Sequence, residues 1–266
     1  MGILNLSPDS FSHDGLLIKN KKDLGKALKI AQRLIRDGCD ILDVGGESTR
    51  PGSQPIRAKE EISRVIPVLR ALSQKVKIPI SVDTYKPLVA QHALDQGATI
   101  LNNIMGTSLQ SPFLKMVKRY NAAIVLMHIR GRPRTMQKKI RYQNSLREIT
   151  SELKKSIEKC LEIGINSDRI IIDPGIGFGK TVSHNLELID RLDELQILNQ
   201  PILIGPSRKS FIGHVLKKDV TDRLMGTAAA VACAILKGAH IVRIHDVGPL
   251  KDVIRMTDGI LNYGNW

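Results

Sequence analysis

The chain is 266 residues long, enough for one large domain or two small ones, and its 42% hydrophobic and 25% charged residues are ordinary for a globular protein. That composition excludes disordered, collagen-like and coiled-coil chains, and the longest apolar run, 228–236, is far short of the ~20 residues of a membrane-spanning helix. Forty Lys and Arg against 26 Asp and Glu leave a net charge of +14, which points to anionic partners, while an aromatic content of 3% argues against base-stacking platforms for single-stranded nucleic acid.

The opening MGILNLSPDSF has neither the basic start nor the apolar stretch of a signal peptide. Cys39, Cys160 and Cys233 are odd in number and far apart, which suits a reducing cytoplasm rather than a disulfide framework or a metal knuckle.

Short runs of Ile, Val and Leu recur at 2–6, 40–44, 79–83, 99–104, 123–128, 169–173, 201–205 and 240–245. Each predicts a parallel strand covered on both faces. Between and after them, 22–37, 60–72, 86–96, 112–120, 145–163, 184–198, 222–236 and 250–261 carry helical spacing of apolar residues, with Pro67 inside the second. Gly38, Gly97 and Gly238 stand where three of these helices would stop. Eight strand–helix units predict a single (β/α)8 TIM barrel over 1–266 rather than an open doubly wound sheet.

A barrel places its chemistry where strands end. The predicted strands end in Asn5, Asp43, Asp83, Asn102-Asn103, His128, Asp173, Ser207 and His245. Asp83 and Asp173 each close a buried strand; each either caps a helix or pairs with an interior cation, or the two grip adjacent N–H donors on a ligand. DPGIGFGK at 173–180 is either a tight strand-to-helix turn or a glycine cradle for an anion or flat ring, and it fails the spacing of both the Walker A loop and the dinucleotide fingerprint. SRKS at 207–210 follows strand 7, where barrels often hold phosphate. Arg243 and His245 share one face of strand 8 and need an anion or a carboxylate partner, Asp43 or Asp246. The loops 5–15 and 45–53 (GGESTRPGS) read as site-covering loops. The cationic run from Arg130 to Arg141 reads as a solvated loop, since no nucleic-acid motif accompanies it, and no histidines are spaced for zinc.

The ordered set GILNLSPDSFS, DVGGESTRPGS, SVDTYKP, LNNI, LMHIRG, DPGIGFGK, GPSRKS and RIHDV resembles the dihydropteroate synthases of the pterin-binding TIM-barrel family, from residue 2 to about 247. The resemblance implies a transferase of folate biosynthesis that joins a dihydropterin diphosphate to 4-aminobenzoate, uses Mg2+ and is a target of sulfonamides. It implies Asp83, Asn102, Met127, Asp173 and Lys209 around the pterin, and Asn5, Thr49, Arg50, Arg243 and His245 around the diphosphate, with Asn5 as the metal ligand. Arg50, Pro51, Phe178, Ser207 and Lys209 would border the aminobenzoate, and Lys209, Arg243 and His245 would be catalytic. It further implies a cytoplasmic homodimer, acting on small molecules rather than nucleic acid or membrane, in some cases fused to another folate-pathway enzyme. A segment usually precedes strand 1 in this family, and this chain starts within that strand. Asn103 stands where the family commonly has Asp, and His13 interrupts a loop that usually reads DSFSDGG. A corrinoid-dependent methyltransferase of the same superfamily has no need of SRKS or STRPG, both present here.

Overall fold

The computed structural model describes residues 1–7 and 21–265, and the side chains of 1–7 and 23–264. His13 and most of the 5–15 loop lie outside the described residues. Six strands, β1 (Gly2–Asn5), β2 (Leu42–Gly45), β3 (Ile80–Asp83), β4 (Ile100–Asn103), β5 (Ala123–Met127) and β6 (Ile170–Asp173), pair in parallel in chain order. β7 (Leu203–Ile204) and β8 (Ile241–Val242) pair with each other. Two bridges, Ile172 to Ile202 and Gly2 to Ile244, close the ring into a barrel.

Helices α1 (Lys21–Arg36), α2 (Ala58–Ser73), α3 (Pro87–Asp95), α4 (Ser111–Arg119), α5 (Ser145–Ile163), α6 (Val182–Asp190), α7 (Ser210–Leu216), α8 (Leu224–Leu236) and α9 (Val247–Leu261) surround it. The strand alternation sorts the core into layers. Leu42, Val44, Val82, Leu101, Ile124, Leu126, Ile170 and Ile172 point outward into the helix layer. Met1, Ile100, Val125, Ile171 and Leu203 form a separate inner cluster. Two residues further along, the inward positions become Asp43, Asp83, Asn102, Asp173 and Arg243. At strands 2, 4, 6 and 8 one face therefore turns from apolar floor to polar site.

Local signals account for the element ends. Asn144 caps α5 by accepting from Arg147 N at 3.0 Å, and Gly164 ends it at φ +87°. Gly38, Gly97 and Gly238 adopt φ of 94°, 93° and 90° at the expected stops. Three expectations need correction. The helix predicted at 184–198 is α6 followed by a 3-10 segment, Leu192–Leu198. Strands 7 and 8 are two residues each, because Pro201 brings no N–H and the paired stretch runs directly into Gly205-Pro206. The helix α7 was not foreseen; only Phe211 and Ile212 of its seven residues are buried, too few for a periodic pattern.

Candidate active site

The polar ends of the strands open into one cleft with two compartments. The inner cavity, about 330 Å³, is lined by Asp83, Asn102, Met127, Asp173, Phe178, Lys209 and Arg243 among others. The outer compartment, about 680 Å³, is lined by Asn5, Thr49, Arg50, Pro51, Phe178, Ser207, Lys209, Arg243 and His245 among others. Every residue that the resemblance assigned to a substrate is thus brought to one place. All the pterin candidates lie in the inner cavity, and all the diphosphate and aminobenzoate candidates in the outer one.

The inner cavity is a field of alternating charge. Arg243 donates through Nε to Asp43 Oδ2 at 2.7 Å and through Nη2 to Asp83 Oδ2 at 2.8 Å. Asn102 Nδ2 donates to the same Asp43 oxygen at 3.2 Å. Asp43, fully buried, lies beneath the cleft and orients the two side chains that line it. Of the carboxylate partners considered for Arg243, Asp43 is taken and Asp246 is not. Asp246 instead holds Arg208 in a two-pronged pair, Nε to Oδ2 at 2.8 Å, which turns Arg208 away from the cleft.

Asp83 Oδ1 is buried and has no partner among the described residues. Asp173 Oδ1 accepts from Gly175 N at 2.7 Å. Burial pushes both carboxyls above the usual range; Arg243 opposes this at Asp83 and the Gly175 N–H at Asp173. Burial likewise lowers the Lys209 ammonium, assisted by Arg243 and opposed by Asp173 and Asp83. Lys209 Nζ stands 4.0 Å from the centre of the Phe178 ring, across the opening between the compartments.

Loops 2, 5, 6, 7 and 8 build the walls. Loop 2 is pinned at its base: Glu47 accepts from Tyr85 OH at 2.8 Å and Ile56 N at 2.9 Å, and pairs with Lys86. Arg64 Nη1 donates to Gly46 O at 2.8 Å. On loops 7 and 8, Ser207 Oγ lies 3.0 Å from His245 Nδ1 and accepts from His245 N at 3.2 Å. Loop 5 is more than the solvated run expected of it. Met136, 3% exposed, packs with Met127 and Phe178 and lines the outer compartment. Pro133 O accepts from Gly52 N at 3.0 Å, and Gln137 Nε2 donates to Gly177 O at 2.8 Å, which ties loop 5 to loops 2 and 6. A lone Met among cations was the available signal.

Two strand-end polar residues do not face the cleft. Asn103 is fully buried; its Oδ1 accepts from Met105 N at 2.8 Å, which shapes the turn after β4. The His128 ring is also fully buried, between Lys180 and Glu152.

A family model described as pterin binding enzyme matches residues 1–245. A dihydropteroate synthase from Synechocystis is 41% identical over 261 residues, covering 98% of this chain and 89% of that protein. A Yersinia pestis dihydropteroate synthase in a sulfonamide drug complex superposes with a TM-score of 0.92 at 36% identity, covering 98% of this chain and 93% of that one. A Clostridium difficile dihydropteroate synthase solved in the presence of pteroic acid gives 0.89 at 40% identity, covering 97% and 95%.

Proposed function

The chain belongs to the pterin-binding enzyme family, among its dihydropteroate synthases, and from that membership we propose that its cleft joins 7,8-dihydropterin-6-ylmethyl diphosphate to 4-aminobenzoate, giving 7,8-dihydropteroate and pyrophosphate. The observation that carries this reading is the pair Asp83 and Asp173, 7% and 5% exposed, lining one cavity with Asn102 and Lys209. A buried carboxylate oxygen without a donor, as at Asp83 Oδ1, is costly in the empty site and is satisfied by a ligand edge rich in N–H groups. The 2-aminopyrimidinone edge of a pterin is such an edge. Pteroic acid, with which the Clostridium relative was solved, unites the pterin and aminobenzoate halves and so supports both compartments.

The chemistry follows from the layout. The pterin edge lies on Asp83, Asn102 and Asp173, with Lys209 donating to the ring and Met127 against its face. The exocyclic methylene then points to the outer compartment, where Thr49, Arg50, Arg243 and His245 surround the diphosphate. The C–O bond to the diphosphate breaks and its electron pair leaves with the diphosphate. The methylene cation is stabilised by resonance with the electron-rich ring. The arylamine of 4-aminobenzoate, bordered by Arg50, Pro51, Phe178, Ser207 and Lys209, attacks the methylene. A C–N bond forms and the nitrogen releases one proton to solvent. Ser207 fixes the His245 ring, so the imidazole faces the leaving group without rotating. Departing negative charge meets preorganised donors, worth several kcal/mol of transition-state stabilisation in a site of low dielectric.

Among the described residues no group of three or more His, Cys, Asp or Glu is placed to hold a metal by itself. Asn5 brings a hard amide oxygen to the rim, with the hydroxyls of Ser7 and Thr49 nearby. That sparse oxygen set fits Mg2+, which keeps much of its coordination for phosphate and water. Asn5 would hold the ion, and Mg2+ bound there supplies charge neutralisation to the diphosphate oxygens.

The exposed Leu186, Val215, Leu216 and Leu236 of α6, α7 and α8 form an apolar face that supports a homodimer. Free Cys39, Cys160 and Cys233 support a cytoplasmic setting. Among the described residues no helix is long and apolar enough to cross a membrane. The test of the reaction is formation of dihydropteroate by the purified protein. We expect dihydropteroate only when both organic substrates and Mg2+ are supplied together; a folded protein that forms none under those conditions overturns the proposal.

A further inference from the structure

Lys180 is the most buried lysine side chain of the chain's described residues to carry no role in the chemistry above, at 3% exposure. Its Nζ meets three acceptors: His128 Nδ1 at 3.0 Å, Phe178 O at 3.1 Å and His128 O at 3.4 Å. Burial lowers the Lys180 pKa to about 7; in its protonated form it has three protons to give, one for each acceptor. A lysine that donates into Nδ1 leaves the ring proton of His128 on Nε2, which lies 3.3 Å from Glu152 Oε2 on α5. Burial lowers the His128 pKa to about 4, so the ring is neutral in ordinary buffers and available as that acceptor. Glu152 also receives Arg130 Nη2 at 2.8 Å.

This chain of side chains lies directly behind the 173–180 turn. The turn presses against the tail of β5 so closely that a Cβ on Gly175 would stand 1.9 Å from His128 O, and one on Gly179 2.4 Å from Arg130 O. Asp173 begins the turn and Phe178 sits near its end, so one turn carries an inner and an outer wall of the cleft.

We infer that Lys180 is a positioning residue for the condensation, clamping the 173–180 turn to β5 through the carbonyls of His128 and Phe178 and braced from outside by His128 and Glu152. The inference rests on the proposed reaction, because what it positions is Asp173 for the pterin and Phe178 for the aminobenzoate. A hydrophobic residue of equal length would fill the same volume and keep the core packed, yet would leave both carbonyls without a donor and the turn free to lift. Lys180 lines neither compartment of the cleft; it reaches the site through the turn and through its charge on Asp173.

The experiment compares the wild-type protein with Lys180→Met, by steady-state kinetics in both substrates and by calorimetric binding of pteroic acid. For Lys180→Met we expect KM for each substrate to rise at least tenfold, kcat to fall less, and pteroic acid to bind at least tenfold more weakly, in a variant whose circular dichroism matches wild type. A folded Lys180→Met with wild-type KM values and wild-type pteroic acid binding overturns the inference. If Lys180→Met does not fold, Glu152→Gln carries the test from the half-exposed end of the chain. It should raise both KM values at least threefold; unchanged values overturn the inference. A wild-type protein that makes no dihydropteroate strikes the proposed function instead, so the two failures are distinct.

Discussion

Arg243 Nη2 and Asp83 Oδ2 are joined at 2.8 Å across the barrel, from strand 8 to strand 3. The same guanidinium reaches Asp43 on strand 2, so a single side chain neutralises two buried acids while Asp83 keeps its other oxygen toward the cavity. Arg243→Ala strands both carboxylates. We expect a loss of about 3–5 kcal/mol of unfolding free energy, the usual cost of removing one partner of a buried pair, and loss of turnover. Arg243→Lys restores charge without the fork and should recover stability more than activity. Urea unfolding and steady-state kinetics on both variants check this.

The buried His128 predicts how stability depends on pH. Its folded pKa of about 4, pushed down by burial, lies below the ordinary histidine value of 6.5. The unfolded chain therefore binds the extra proton first, and stability is lost as pH falls from 6.5 to 4. The stabilisation at stake is on the order of 3 kcal/mol. Glu152, lowered to about 2 chiefly by its contact with His128, acts in the separate window below 4.5, where its contribution is lost as pH falls. Urea midpoints measured from pH 7 to 5 should decline for wild type, and His128→Asn should flatten the decline. Equal slopes would remove His128 as its source.

Gly175 has φ +72° and sits against the carbonyl of His128. Gly175→Ala adds strain of about 1–3 kcal/mol in that backbone region and a collision that only displacement of the turn relieves. Pteroic acid affinity should drop at least tenfold by calorimetry; retained affinity would mean that the turn tolerates the shift.

The eight strand–helix units made the barrel legible, and the polar residues that close its apolar strands made the working end legible. The strand period of two completes the pattern: Ile41-Asp43, Ile100-Asn102, Ile171-Asp173 and Ile241-Arg243 each pair an apolar floor residue with a polar residue two places on. What escaped was side-chain direction at the strand ends. His128 and Asn103 end strands like the others, but each stands one place past an inward residue, Met127 and Asn102, and so falls on the outward side of the same alternation, which polar residue type alone does not reveal. Met136 was hidden because the cations around it dominate any pattern of charge. The α7 helix was hidden because seven residues hold too few turns to be periodic.

Asn103 gives a prediction from its direction alone. Its side chain shapes the turn after β4, and its Nδ2 has no acceptor among the described residues. Asn103→Asp keeps the accepted bond to Met105 and touches nothing in the cleft. Both substrate KM values should stay within about twofold of wild type, since the bond that shapes the turn is retained and no lining of the cleft changes. A larger change would place Asn103 in contact with the site after all.

Sulfonamides carry the arylamine of 4-aminobenzoate on a sulfonyl group in place of the carboxylate. On the proposed border of Arg50, Pro51, Phe178 and Lys209, shared by both ligands, inhibition should be competitive against 4-aminobenzoate. Inhibition that persists unchanged at saturating 4-aminobenzoate would separate the two sites.

The most direct measurement is chromatographic detection of dihydropteroate from dihydropterin diphosphate, 4-aminobenzoate and Mg2+, with wild type and Lys209→Ala run side by side. Product should form with wild type and at least about a hundredfold more slowly with the variant, since Lys209 spans both compartments of the cleft. A folded wild-type protein that forms no dihydropteroate, or a Lys209→Ala variant as fast as wild type, would contradict the proposed reaction in this cleft.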